Sequence, residues 1–163
     1  MEAEEKIQAH VLSIWREGRE FFSGKGREGM LILTNKNLCF IKKTEAPMKW
    51  WGAIRTRQIV RLLQSKDVMV VEDGYSEENL REDLENKKNQ KISFNNILSI
   101  ESKEKVWGSV LFLDMIEGGN EKKLQFSVVQ DWVKYPISAP TKFLKVDWSE
   151  FVKYIKDRQI VMK

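Results

Sequence analysis

Few residues in this chain are equipped for covalent or metal chemistry. There is one cysteine, Cys39, and one histidine, His10. No internal disulfide can form, and a zinc centre built from Cys and His needs several such ligands. A Ser-His-Asp or Cys-His device would have to use His10. That residue flanks an apolar stripe of helical spacing and reads as a boundary residue, while Cys39 reads as a small apolar core residue in a strand. Gly24-Lys25-Gly26-Arg27-Glu28-Gly29 matches G-x-G-x-x-G. The dinucleotide form of that motif follows a strand and opens a helix, whereas Met30–Thr34 reads as a strand, so the segment reads as a hairpin turn. A kinase glycine loop does join two strands, but the chain has no His-Arg-Asp and no Asp-Phe-Gly. A P-loop fails on spacing, with five residues between Gly18 and Gly24 where four are required, and Gly26 stands in the Ser/Thr position. Glu77, Glu78, Glu82, Asp83 and Glu85 read as the solvated face of a helix. No catalytic residue, metal site or cofactor is assigned, and the chain is read as non-enzymatic; an enzyme with an unrecognised site is the remote alternative.

A basic amphipathic segment gives a stronger signal. Trp50 and Trp51 precede Arg55, Arg57 and Arg61. Tryptophan favours a membrane interface, and a basic helix with an apolar face can lie on anionic lipid, each cation contributing on the order of 1 kcal/mol. The competing reading docks this helix on the domain's own sheet, with the tryptophans in the core and the arginines in water. Aromatic and basic residues also interleave in Trp132-Val133-Lys134-Tyr135 and Lys142-Phe143. Single-strand recognition needs stacking aromatics on an exposed sheet face, which Phe40, Phe94, Phe112 and Phe126 do not establish, so nucleic acid is not the expected partner.

The elements that must position these residues follow from length and pattern. The chain has 163 residues, 42% apolar and 32% charged, with a net charge of +4. That is one domain's worth, with enough apolar residues for a core, and is neither disordered nor histone-like. The acidic start Met1-Glu2-Ala3-Glu4-Glu5 is unlike a signal peptide, and the uninterrupted apolar runs fall far short of the ~20 residues of a spanning helix. The expected setting is cytoplasmic, and peripheral to the membrane if lipid is the ligand.

Ile7, Val11, Ile14 and Trp15 recur at i, i+4, i+7 and i+8, which predicts a helix over Ala3–Glu17 ended by Gly18. Short strands are predicted at Glu20–Lys25, Met30–Thr34, Leu38–Lys42, Ile92–Phe94, Ile97–Ser102, Gly108–Ile116 and Leu124–Val129. The turn Asn35-Lys36-Asn37 joins two of them. Residues 44–90 interrupt the strands with a helix over Trp50–Ser65, whose apolar arc holds Trp51, Ile59, Val60, Leu62 and Leu63, and a second helix capped by Ser76 that runs to about Lys88. Val68–Val71 is read as strand or helix. This insert is electrically split. Residues 44–66 carry five bases and one acid, and residues 67–90 carry three bases and eight acids, so the halves can pair with each other. Gln130–Val146 reads as a loop. Trp148, Phe151, Val152 and Ile155 give a last helix over 147–160 a strong core-facing stripe.

Gly29-Met30-Leu31-Ile32-Leu33-Thr34-Asn35-Lys36-Asn37-Leu38-Cys39-Phe40-Ile41 resembles the G-x-L-x-L-T-N-x-x-L-x-F pattern of GRAM and related pleckstrin-homology-like domains. Lys91–Glu101 resembles the strand pair that follows in that superfamily, and two further strands and a terminal helix come in its order. The resemblance covers Glu20–Lys43 and Lys91–Asp157. It implies one domain over 1–163: α+β, mainly β, a seven-stranded antiparallel barrel or sandwich capped by the C-terminal helix. To this are added an N-terminal helix over 1–18 and a helical insert over 44–90 between strands 3 and 4, with strands 1–3 in 19–43 and strands 4–7 in 91–129. It also implies a non-catalytic module that binds anionic lipid headgroups or a protein partner; GLUE domains, a split class with such insertions, bind ubiquitin. The lipid site of pleckstrin-homology domains uses basic residues around the first hairpin, where this chain has Lys25 and Arg27, followed by Glu28 and apolar residues. The candidate binding residues are therefore Lys25, Arg27, Trp50, Trp51, Arg55, Arg57 and Arg61.

Overall fold

The computed structural model describes residues 4–18, 26–133 and 139–162. Among the described residues are eight strands: β1 (Ile7–Gly18), β2 (Arg27–Thr34), β3 (Asn37–Ile41), β4 (Gln90–Ser93), β5 (Ile97–Lys105), β6 (Gly108–Glu117), β7 (Asn120–Val133) and β8 (Ala139–Phe143). Helices α1 (Met48–Gln64) and α2 (Glu77–Leu84) separate β3 from β4, and α3 (Ser149–Met162) ends the chain. The molecule is α+β and mainly β, and every pairing between these strands is antiparallel.

The strands lie in the order β4-β3-β2-β1-β7-β6-β5, with β8 paired to β7 beside that path. β4 and β5 stand at opposite ends of this order, yet only one turn of 3₁₀ helix, Phe94–Asn96, joins them. A link that short brings the two edges together, so the sheet is rolled. Cross-strand contacts agree: Gln90 of β4 reaches Met115 and Glu117 of β6, and the rings of Phe40 and Phe126 lie 6.0 Å apart.

The inside of the roll is the main core. Val11, Leu31, Leu33, Leu38, Phe40, Leu111, Leu113, Phe126 and Val128 meet there. α3 lies against β5 and the 3₁₀ turn and, with Trp148 just before it, adds Phe151 and Ile155 to the core. The Trp148 indole donates to the Ser109 carbonyl, and the Gln159 amide donates to the carbonyls of Phe94 and Ile97. Over β5 the outer face is open to water, and from Leu111 to Ile116 β6 alternates buried and more exposed residues, as a one-sided strand should.

Over β1–β3 both faces are buried. Leu12, Met30, Ile32, Cys39 and Ile41 point outward and are covered by Ile54, Tyr75, Leu80, Trp50 and Trp51 of the insert. Two-sided burial explains why Met30–Leu33 and Leu38–Ile41 are continuous apolar runs, each fully buried side chain stabilising by roughly 1.5–3 kcal/mol. The segment between α1 and α2 straps across β1, with the His10 N–H donating to the Val70 carbonyl. Val68–Val71 forms neither helix nor strand; its neighbour Asp67 makes one isolated bridge to Asp147. Asp83 of α2, itself buried, accepts hydrogen bonds from the hydroxyls of Thr44 and Tyr75 and from the Glu45 N–H, stapling the insert at both its ends.

The predicted N-terminal helix over 1–18 is replaced by β1. Inner positions Ala9, Val11 and Ile14 and outer positions Ile7, His10 and Leu12 interleave, and bulges between Ile7 and Ala9 and between Val11 and Ile14 break the period of two. The resulting apolar spacing imitates a helix. His10, expected at a boundary, is fully buried. The predicted strand Glu20–Lys25 lies outside the described residues. The predicted loop Gln130–Val146 is partly strand, because β7 continues to Val133 and β8 returns beside it. Pro140 is accommodated there on a strand with a single partner. The Asn35-Lys36-Asn37 turn and the Ser76 cap form as predicted, with the Thr34 and Ser76 hydroxyls accepting backbone N–H groups, although α2 ends at Leu84 rather than near Lys88.

Candidate functional site

Antiparallel order places the end of β1, the start of β2, the ends of β3 and β6 and the starts of β4 and β7 at the same end of the roll. Cations stand among the residues at these termini, together with the acids Glu17, Glu28, Glu117 and Glu121. Arg16, next to the last position but one of β1, pairs across the ladders with Phe126 on one side and Arg27 on the other. Phe126 points into the core, so Arg16 points inward too. Its guanidinium lies 4.6 Å from the centre of the Phe40 ring and donates to the Gln90 amide oxygen at 2.9 Å.

Arg16, Lys87, Lys88, Lys91 and Lys122 line a cavity of about 440 Å3 at this mouth, with Asn89, Gln90 and Glu117. Glu117 is the one acid in that lining; it pairs with Lys122 at 2.7 Å and accepts from Gln90 at 2.9 Å. Those two hydrogen bonds hold its carboxyl below the usual range, with Lys122 and Arg16 adding charge attraction. Arg16 is lowered from the ordinary arginine value, first by burial and then by Arg27. Lys42 is lowered too, by lost hydration and then by the surrounding Arg27, Lys88, Arg16 and Lys43. Cations that depress one another raise the local positive potential. Arg16 and Arg27 stand directly opposite in the ladder, where like charges repel. Asn89 fixes the rim, accepting from the N–H groups of Lys42 and Lys43 and donating to the carbonyls of Lys43 and Asp83. The mouth therefore offers guanidinium and ammonium donors suited to a multiply charged anion such as a phosphate ester.

The residues expected to bind divide between this mouth and the insert. Arg27 belongs to the mouth. Lys25 lies outside the described residues. Trp50 is turned into the insert, stacking on Tyr75 and donating to the Asp73 carbonyl. Trp51 is half-buried and lines a small hollow of about 230 Å3 together with Met48, which is 90% exposed, and Lys42. Arg55 donates to the Gln130 carbonyl and the Ser13 hydroxyl, and Arg61 forms a 2.7 Å ion pair with the buried Glu72. Neither arginine is in open water. Arg57 is exposed and has no hydrogen bond or ion pair among the described residues. Arg61–Glu72 is also the one ion pair that joins the basic and acidic halves of the insert among the described residues.

α1 also presents a different face from the one its apolar residues predict. Ile54, Gln58 and Leu62 are buried, while Val60 and Leu63 are exposed. The cause is the second bulge of β1, which takes the backbone of Leu12 out of the β2 ladder. The Gln58 side chain replaces the missing partner, accepting from the Leu12 N–H and donating to the Leu12 carbonyl, both at 2.8 Å.

Arg16, Lys87, Lys88, Lys91 and Lys122 were not singled out by the sequence. Arg16 sat inside an apparent helix, and the lysines looked like ordinary solvated charge. The available signal was positional, since each lies close to a strand terminus and the antiparallel polarity gathers those termini. No protein-family model matches the chain, and no curated protein is similar to it.

Proposed function

We propose that this chain is a non-catalytic binding module of the pleckstrin-homology-like kind, which holds the phosphorylated headgroup of an anionic lipid in its basic mouth and so works at a membrane surface. The observation that carries the reading is the convergence of Arg16, Arg27, Lys42, Lys87, Lys88, Lys91 and Lys122 on one end of the roll against the single acid Glu117 in the cavity. An antiparallel, mainly β sheet followed by a C-terminal helix is compatible with the fold half of the proposal, although its first described strand is Ile7–Gly18, outside the stretch that carries the resemblance. In this reading Trp51 and Met48, which share a hollow with Lys42 and Glu28, enter the interfacial layer next to a bound headgroup. No helix among the described residues is long and apolar enough to cross a membrane.

Vesicle co-sedimentation tests the reading. The wild-type chain should bind vesicles containing a phosphorylated inositol lipid, bind neutral vesicles weakly, and release as salt rises, since exposed charges are screened beyond about 10 Å at 0.1 M. A Lys87→Glu/Lys88→Glu/Lys91→Glu variant should lose that binding, while Arg57→Glu on α1 should keep it. If no vesicle binds, or if Arg57→Glu is the variant that abolishes binding, the mouth is not a lipid site.

A further inference from the structure

A second hollow, of about 560 Å3, lies at the other end of the strands. The ten residues of β6 separate it from the mouth, a span of about 30 Å. Four parts of the chain build it: the last turn of α1 with Leu63 and, just beyond the helix, Lys66; the β5–β6 turn with Val106 and Trp107; Gln130 of β7; and β8 with its exit, Thr141–Lys145. Its surface is unusually apolar for an exposed turn. Val106 is 96% exposed, Leu63 60% and Trp107 48%. Turns of this kind normally carry Asn, Asp or Gly, and contiguous exposed apolar side chains mark interaction surfaces. Trp107 is held in place, its ring 5.1 Å from that of Phe143. A fixed aromatic beside a pocket is the usual anchor of a protein interface.

Charge settles the kind of occupant. Lys66, Lys142 and Lys145 are exposed around the hollow, and none of the residues lining it is acidic. Two acids stand beside these lysines without lining the hollow: Asp131 is a ladder neighbour of Lys142, and Asp147 lies within charge range of Lys66. A planar bilayer matches a concavity walled by α1 and β8 poorly, whereas a chain segment with a protruding side chain matches it well. We propose that this hollow is the docking site for an acidic peptide segment of a partner protein. One bulky apolar side chain of the segment enters between Leu63 and Trp107, and flanking carboxylates pair with Lys66, Lys142 and Lys145. The proposal is independent of the mouth, and the distance between the sites allows one chain to engage a headgroup and an acidic partner together.

The test uses the full chain and a fluorescein-labelled synthetic peptide in which aspartates and glutamates flank a Leu-Phe pair, read by fluorescence anisotropy. A second peptide carries lysines in place of the acids. The acidic peptide should bind, weaken with salt, and lose about tenfold or more in affinity, 1.4 kcal/mol per tenfold, with Lys66→Glu/Lys142→Glu/Lys145→Glu and separately with Val106→Asp. The Val106 side chain is so exposed that its replacement leaves the core intact, so loss of binding there is not loss of folding. Equal binding of the two peptides, no binding of the acidic one, or binding that survives both variants overturns the proposal. So does Val106→Asp abolishing vesicle binding while no peptide binds, which would make the turn a bilayer contact.

Discussion

At the residue scale, His10 has the most tightly defined environment. Its Nδ1 accepts from the Glu72 N–H at 2.9 Å and its Nε2 lies 3.0 Å from the Tyr75 carbonyl, which fixes the neutral tautomer with the proton on Nε2. Protonation would place a second N–H against the Glu72 N–H. Burial lowers its pKa below the ordinary 6.5, with the Tyr75 carbonyl and the charges of Glu72 and Glu77 opposing the shift. The unfolded chain therefore takes up this proton at a higher pH than the folded one. Stability should be full above pH 6.5, decline as pH falls from 6.5 to the folded-state pKa, and level off below it. Glu77 and Glu117, both lowered from 4.5, add their loss only below about that value. Urea midpoints against pH should show a first decline starting near 6.5 that is absent in His10→Gln. A wild-type curve flat from 6.5 down to 4.5 would mean the imidazole is not held neutral. Cys39, by contrast, is buried and its thiol is pushed up to about 12, which leaves it unreactive at neutral pH.

At the element scale, the docking of α1 depends on a polar side chain. Gln58→Ala removes both partners of the Leu12 backbone in a buried site. Two unmet backbone groups should cost about 3 kcal/mol together. Val60→Ala, on the exposed face of the same helix, should change stability by less than about 0.5 kcal/mol. Chemical denaturation of the two variants decides between the docked face set by Gln58 and the face its apolar residues suggested. Equal losses would restore the latter. α1 was legible as a helix because its length and the break at Pro47 bound it. Its orientation was not, because the deciding partner is a bulge in a strand 46 residues away. β1 was misread for the related reason that two bulges and two buried faces erase the alternation that announces a strand.

At the scale of the whole molecule, the 44–90 insert is a structural layer and not an appendage. Leu12, Met30, Ile32, Cys39 and Ile41 are almost wholly buried, and the insert is what covers them. Replacing Ala46–Lys88 by a short glycine-serine linker should expose a continuous apolar face and give a chain that aggregates or binds a dye specific for exposed apolar surface. A soluble, monomeric product with no dye binding would show that the outer face needs no cover. The same layer explains the fate of the insert's candidate residues. Trp50, Arg55 and Arg61 serve contacts with β1, β7 and the strap, and of the insert's candidate cations Arg57 alone is exposed without a hydrogen bond or ion pair among the described residues.

The sequence by itself determined the local features: the Asn35-Lys36-Asn37 turn, the strands Met30–Thr34 and Leu38–Ile41, the Ser76 cap, and the stripe that seats α3. Each depends on residues within a few positions of one another, through turn geometry, side-chain capping or helical period. Only the tertiary structure decided that Ala3–Glu17 holds a strand, that α1 buries Gln58 and exposes Leu63, and that Arg16, Lys42, Lys87, Lys88, Lys91 and Lys122 stand together at one mouth. Those outcomes depend on which strand ends the antiparallel order gathers and on which backbone groups a bulge leaves to be satisfied, and both are set by partners far along the chain.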